Sequence, residues 1–399
     1  MKVAFLIEQL EPRRGGMETS ASEFLAEVVA LGVNIQVITQ SAPPDFSVAP
    51  IQRLGTGGLG RAGRYHRFVQ DAQSLLSRGD WPVVHAVTPC LACDLYQPRS
   101  GTAREAVART VAARRSPLTR WLRQIGATWN RKQRLFSRLE HQLLTGGQPP
   151  LVAALSQYMR RQLVEAYALN DGRVRDVFNG VAIRLPEPAE RAALRRRCRE
   201  EAGLDDEALV SIFVGHNFRR KGLARLLEAL TKPEAARWHL LVLGKDSPGR
   251  HERYVEQAGL AGRVRFLGAR PDVRQWYLAA DVCVLPTYYD PCSRTVLEAL
   301  SLGVPCITTA YDGSSECIQN GEQGFVLDSP EAVDGMARAL NQLREKPVRQ
   351  SMSQKALALR PYLSMRRHAK EVVGLYEEIF RSRGAPKPAR ASATIGKTS

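Results

Sequence analysis

Nothing in this chain is apolar for eighteen residues at a stretch, so no segment is expected to cross a bilayer as a helix. A secretory leader is not expected either. MKVAFLIEQL is basic and then apolar, but the apolar run is short and no cleavage site follows. Cysteine is too scattered for a disulfide framework: seven are spread along the chain, an odd number, which points to a reducing cytosol. Cys90 and Cys93 make one C-x-x-C, yet neither a second pair nor a nearby histidine cluster completes a zinc site, and no metal is expected. Acid is the other shortage. Asp and Glu number 40 against 57 Lys and Arg, a net charge of +17. Such an imbalance implies an anionic partner: a phosphate-bearing substrate, an anionic lipid surface or nucleic acid. No nucleic-acid-binding motif accompanies the arginines, so nucleic acid is not expected.

What is present is the composition of a globular protein, 44% hydrophobic and 24% charged, in 399 residues that suffice for two or three domains. KVAFLIE reads as a buried strand, followed by the loop EQLEPRRGG and a helix from about Met17 to Leu31. Gly15 and Gly16 let the backbone come close to a ligand there, although a Gly-Gly turn also serves plain structure. VNIQVIT is a second strand, a helix runs from about Gly63 to Ser77, and PVVHAV is a further strand ending near His85, a core residue. The alternation predicts a doubly wound parallel sheet. Asp94 is the carboxylate in the TPCLACDLYQPRSGT segment that follows. Two readings of it stand: a group at the cleft, or a strand-edge aspartate satisfying a turn.

From Arg104 to Leu143 arginine is dense and acid nearly absent. Leu118, Trp121, Leu122, Ile125, Trp129, Leu135, Phe136 and Leu139 recur at steps of three and four, with Arg120, Arg123, Arg131 and Arg134 largely off that stripe. Part of the stripe is expected to pack on the first domain. The basic patch over 104–138 is expected to meet an anionic membrane surface.

The second half opens with ALVSIFVGHNFRRKGLARLLEAL: a strand to Gly215, a loop with Arg219, Arg220 and Lys221, and a helix begun by Gly222. Cations oppose the positive end of a helix dipole, so their place there calls for an anion. The stretch from Tyr288 to Thr309, YYDPCSRTVLEALSLGVPCITT, organises the rest. The strand DVCVLP ends at Pro286, Asp290 lies in the loop, and a helix runs from about Arg294 to Leu302, closed by Gly303. Seven residues separate Asp290 from Glu298. Amides of Ser293, Arg294 and Thr295 at the helix start suit a phosphate, and the ionised carboxylates accept sugar hydroxyls.

An acidic residue, seven residues, Glu, and then a small-residue Gly-Val-Pro-Cys run resemble the signature of retaining family-4 glycosyltransferases of the GT-B fold. The usual first residue is Glu, and Asp290 is one methylene shorter. The strand–Gly–loop–Arg–Lys–Gly pattern around Arg220 and Lys221 is closest to that of the glucosyltransferases that add glucose to heptose in the lipopolysaccharide core. The glycine pair and Asn179-Gly180-Val181 match family turns as well. The resemblance implies an α/β fold of two facing Rossmann-like domains with a cleft between them. Residues 1–183, joined by the helix 364–383, would form the acceptor side, and 184–363 the nucleotide-sugar side, with 385–399 a disordered tail. It implies that Gly15 and Gly16 face the donor diphosphate, that Arg220 and Lys221 clamp it without a metal or other cofactor, and that Glu298 holds the ribose and Asp290 the donor sugar. By the same likeness Asp94 would take or position the acceptor proton. Relatives carry small or apolar residues at the place of Arg294, so this arginine either adds a phosphate contact or points to solvent. The implied reaction moves a hexose, glucose by likeness, from a UDP-sugar to a membrane-anchored glycan, on the cytoplasmic face of the membrane. A GT-B protein that has lost catalysis and keeps only glycan or membrane binding is the alternative, and Asp290 is the feature that allows it.

Overall fold

The computed structural model describes residues 1–11, 15–79, 81–113 and 130–383. The tail 385–399 therefore lies outside the described residues, as does the part of the basic segment that holds Arg120, Arg123 and the apolar positions from Leu118 to Trp129.

Two wholly parallel sheets form the molecule. The first has seven strands, β1 (Lys2–Leu6), β2 (Asn34–Thr39), β3 (Ile51–Arg53), β4 (Val83–Ala86), β5 (Leu95–Tyr96), β6 (Leu151–Ala154) and β7 (Val174–Asp176). They lie in the order β3-β2-β1-β4-β5-β6-β7. The second has six, β8 (Leu209–Val214), β9 (Trp238–Leu243), β10 (Val264–Gly268), β11 (Val282–Val284), β12 (Cys306–Thr309) and β13 (Gly324–Leu327), in the order β10-β9-β8-β11-β12-β13. Each order reverses once, between β1 and β4 in the first sheet and between β8 and β11 in the second. Ligands of open parallel sheets bind outside the carboxyl ends of the strands at such reversals.

Burial on both faces explains why these strands read as continuous apolar runs. Val3, Ala4, Phe5 and Leu6 of β1 and Val210, Ile212 and Phe213 of β8 are all fully buried. The helix Met365–Arg383 leaves the second domain and lays Met365, Ala369, Val372 and Tyr376 on the first, in one core with Val3, Phe5, Phe24 and Leu25. The apolar face of the helix Arg131–Thr145 packs too: Leu135, Phe136 and Leu139 meet Tyr65, Phe68 and Val69 of the helix Gly60–Arg78. Arg131, Arg134 and Arg138 of that helix are exposed. All seven cysteines are free and buried. Among the described residues no helix is long and apolar enough to cross a membrane.

Candidate functional site

The loop after β8 is built so that a cation reaches the next strand's loop. Asn217 takes a left-handed φ of 59° and its side-chain carbonyl accepts the Arg220 amide at 3.2 Å, which winds the loop into a turn. Gly222 follows with φ +80°, and a Cβ there would stand 1.9 Å from the Pro286 carbonyl oxygen, so only glycine lets the two loops touch. The Tyr288 amide then donates to the Arg220 carbonyl at 2.8 Å. This seam delivers Lys221 onto the Asp290 carboxylate in a largely buried ion pair.

Asp290 is held from several sides. Its amide donates to the Tyr311 carbonyl at 2.9 Å, its carbonyl accepts the Gly313 amide at 3.0 Å, and Oδ1 accepts the Cys292 amide at 3.1 Å. Behind it lies Asp312, fully buried, whose Oδ1 accepts the amides of Ser293 and Ser314 and whose Oδ2 accepts the Thr308 hydroxyl, all at 3.0 Å. Burial first, and then the Asp290 charge, push the Asp312 carboxyl up to about 6.

The helix that follows spans Arg294–Ser301, with Leu302 at its cap and Gly303 at φ +77°. Glu298 sits one turn in. Its Oε1 accepts from Arg294 at 2.8 Å and its Oε2 from the Tyr277 hydroxyl at 3.3 Å. Arg294 also reaches across to the first domain, where it grips Glu23 through both oxygens at 3.0 Å. Burial pulls the Arg294 guanidinium down, but Glu298 and Glu23 outweigh it and hold it above its ordinary value.

Gly15 and Gly16 face this helix and the β8 loop from the first domain. A methyl on Gly16 would lie 3.5 Å from Arg294 Cδ, and one on Gly15 would lie 4.0 Å from His216. Neither glycine has a left-handed φ, so the fold itself does not require them. The domains also meet at the Asp290 loop: Ser156 donates to the Pro291 carbonyl at 2.6 Å, and a Cβ on Gly101 would strike the Tyr289 hydroxyl.

The structure thus brings Gly15 and Gly16 against the β8 loop and Arg294, Lys221 onto Asp290, and Arg294 onto Glu298, with the Arg220 backbone bonded to that of Tyr288. Arg220 keeps its Nε shielded and without a hydrogen-bond partner among the described residues, and Ser293 Oγ is in the same state. Three expectations are corrected. The Ser293 amide is spent on Asp312, which leaves the amides of Arg294 and Thr295 in the first turn. The Arg294 side chain neither points to solvent nor stands open to a phosphate, because two carboxylates occupy it. Asp94 is not at the cleft. Its Oδ2 accepts the Val84 amide at 2.9 Å and its Oδ1 pairs with Arg383, on the edge where the strands begin. It is a strand-edge aspartate that fastens the last helix. Arg184 is exposed and pairs with Glu190 at 2.7 Å.

Four residues of the site were missed. Asp312, Tyr277 and Glu23 carry no local signal, since their places come from tertiary packing. His216 did have one, standing just past the carboxyl end of β8. Burial, and then Lys245, lower its imidazole below the ordinary value.

Residues 14–185 match the Glycosyltransferase Family 4 profile and residues 195–358 match Glycosyl transferases group 1. The lipopolysaccharide glucosyltransferase WaaG of Escherichia coli (strain K12) is 32% identical over 162 residues, 40% of this chain and 43% of that protein. A D-inositol 3-phosphate glycosyltransferase of Thermomonospora curvata is 31% identical over 229 residues, 53% of this chain and 52% of that protein. In these alignments the chain spans about half the length of the curated relatives it matches. The crystal structure of WaaG superposes with a TM-score of 0.77 at 22% identity, covering 94% of this chain and 99% of that one. That of Anabaena HepE, in complex with UDP and glucose, superposes with a TM-score of 0.70 at 18% identity, covering 95% of this chain and all of the other. With one profile matched in each half and the fold shared along nearly its whole length, the chain belongs to the group 1, family 4 glycosyltransferases of the GT-B fold.

Proposed function

We propose that this chain transfers a hexose, glucose by resemblance, from a UDP-sugar to a membrane-associated glycan such as the lipopolysaccharide core, with retained anomeric configuration and without a metal. The observation that carries the reading is the seam that sets Arg220 and Lys221 beside Asp290, at the start of the helix that bears Glu298. Two cations and the amides of Arg294 and Thr295 would take the diphosphate and stabilise the charge that builds as UDP departs. Asp290 would grip the sugar as its anomeric carbon becomes oxocarbenium-like. The Lys221–Asp290 pair holds each group in place until phosphate and sugar hydroxyls arrive to share them. HepE was crystallised with UDP-glucose, and relatives at 31–32% identity include WaaG and a lipopolysaccharide core glycosyltransferase of Rhizobium meliloti, LpsE, which support the donor and acceptor classes. With Asp94 fastening the last helix, no residue is assigned to the acceptor proton.

The acceptor would be met on the cytoplasmic face of the membrane, with the exposed Arg131, Arg134 and Arg138 part of an anionic-lipid contact. Incubation with UDP-glucose and a heptose-terminated core acceptor tests the reading. UDP release coupled to a new α-linked glucose seen by NMR is expected. UDP binding with no transfer to that acceptor or to inositol 3-phosphate would favour the catalytically impaired alternative, and no binding of any UDP-sugar would end the proposal.

A further inference from the structure

We infer that Glu23, on the first domain, is a positioning residue for the nucleotide site of the second: it occupies Arg294 so that Glu298 keeps acceptor capacity for ribose. The inference rests on the reading of Glu298 as the ribose ligand. Glu23 stands in the middle of the helix Gly16–Ala30, where nothing in the reaction proposed above uses it. Its Oε1 accepts from Arg294 and from Arg274, at 3.0 and 2.8 Å, and its Oε2 from Arg294 and from the Ala182 amide, at 3.0 and 3.1 Å. The side chains of Arg294, Glu23 and Glu298 are only 10%, 12% and 14% exposed. A contact so placed is weakly screened and sensitive to geometry.

Lone pairs on Glu298 set how much of it ribose can use. An ionised carboxylate offers about four acceptor positions. Arg294 uses one on Oε1 of Glu298 and the Tyr277 hydroxyl uses one on Oε2. One remains on each oxygen, enough for the two hydroxyls of a ribose. That balance depends on Glu23. The planar guanidinium prefers to meet a carboxylate through two parallel N–H groups, and here it does so with Glu23, giving Glu298 a single bond. Without the Glu23 charge, Glu298 is what remains of the two carboxylates that Arg294 pairs with among the described residues. The guanidinium would turn its fork on Glu298 and use the acceptor positions that ribose needs. The element that prevents this belongs to the opposite domain, so the nucleotide site is complete only when the two domains are apposed as here.

The test compares UDP with 2′-deoxy-UDP by titration calorimetry on the full chain. Wild type should prefer UDP by on the order of tenfold or more, the worth of one hydrogen bond to a charged group. In Glu23→Gln the preference should shrink toward unity as UDP binding weakens. The double variant Glu23→Gln, Arg294→Leu should regain it, because the competing guanidinium is gone. Each preference is a ratio measured on one protein, so a general loss of stability does not imitate the result. A Glu23→Gln protein that keeps the wild-type preference, or a double variant no better than the single, overturns the inference while leaving the nucleotide site standing. Wild type that binds neither nucleotide overturns the donor assignment itself and the inference with it.

Discussion

Asp312 carries a carboxyl group where water does not reach, behind the aspartate assigned to the donor sugar. Because burial and Asp290 raise its folded pKa to about 6 from 3.8, the folded state binds this proton more tightly than the unfolded chain. Its contribution to stability is therefore largest below about pH 4 and is lost as pH rises through 6. Asp312→Asn should remove that loss without breaking the network. The amide oxygen can still accept from Ser293 and Ser314. The new N–H₂ can donate to Thr308 Oγ, whose own hydrogen is then free for the Leu285 carbonyl it already approaches at 3.0 Å. We expect the variant to gain on the order of 1–2 kcal/mol in urea unfolding at pH 7.5 and no advantage at pH 4; an equal effect at both would deny the ionisation. Asp290→Ala should differ in kind. UDP affinity should change only a few-fold, since Lys221 is released toward phosphate, while transfer should fall by about a hundredfold or more. Calorimetry beside a product assay separates the two. At this scale the residues that were legible sit in loops just beyond apolar strands, where chain position itself predicts a ligand. Asp94 was illegible because the end of the sheet it occupies depends on how far β4 runs before the chain turns. Arg294 was illegible because its partner lies 271 positions away in the sequence.

Between residue and element stands Gly222, which makes the β8 loop and the β11 loop a single unit. Gly222→Ala would place a side chain at φ +80° and drive Cβ toward the Pro286 oxygen at 1.9 Å. The strained φ alone is worth about 1 kcal/mol, and the contact cannot be relieved without parting the loops. A loss of about 2 kcal/mol or more in denaturant midpoint is expected, with UDP affinity falling further than in Asp290→Ala because Arg220 and Lys221 move together. If the midpoint drops and UDP affinity does not, the loop is not part of the nucleotide site. Elements of this kind were legible because their signals are local: apolar runs bounded by Gly, Asn and Pro, and a helix stopped at Gly303. Ends shifted by a few residues, as where Gly60 rather than Gly63 starts its helix, because Leu59 at the cap has no side-chain acceptor to mark the first turn. Packing resolved the helix Arg131–Thr145, whose apolar positions suited either a membrane or a neighbouring helix, since periodicity does not say what covers a stripe.

The division into two parallel sheets was readable at the scale of the molecule. The way the chain's end returns was implied by resemblance alone, and its chemistry was not readable at all. The helix Met365–Arg383 closes the first domain with ionisable groups buried beneath it. His368 donates from Nδ1 to the Phe178 carbonyl at 2.9 Å, so its Nε2 is the acceptor facing N–H groups of Arg99 and Gln97, each at 3.4 Å. His85 shares 2.7 Å with the Tyr376 hydroxyl of the same helix. Burial, and then Arg99, hold both imidazoles well below 6.5. Protonating His368 would set a new N–H against two others beside a buried guanidinium. The sign follows: the unfolded chain takes up protons below about pH 6.5 that the folded chain refuses, so stability should fall from there downward, by up to about 1.4 kcal/mol per pH unit for each histidine. Asp312 works the opposite way over part of this range, while burial also lowers His216, His239 and His251, which add to the loss on the acid side. Thermal unfolding between pH 8 and 5 should show the melting temperature declining on the acid side, and His368→Gln should start lower but decline less steeply. Hydrogen exchange at pH 5.5 should find the loosened amides in β1, β4 and the last helix more than in β8 and β11, because the two fully buried imidazoles, which are held furthest below their ordinary value, lie between the returning helix and the first sheet.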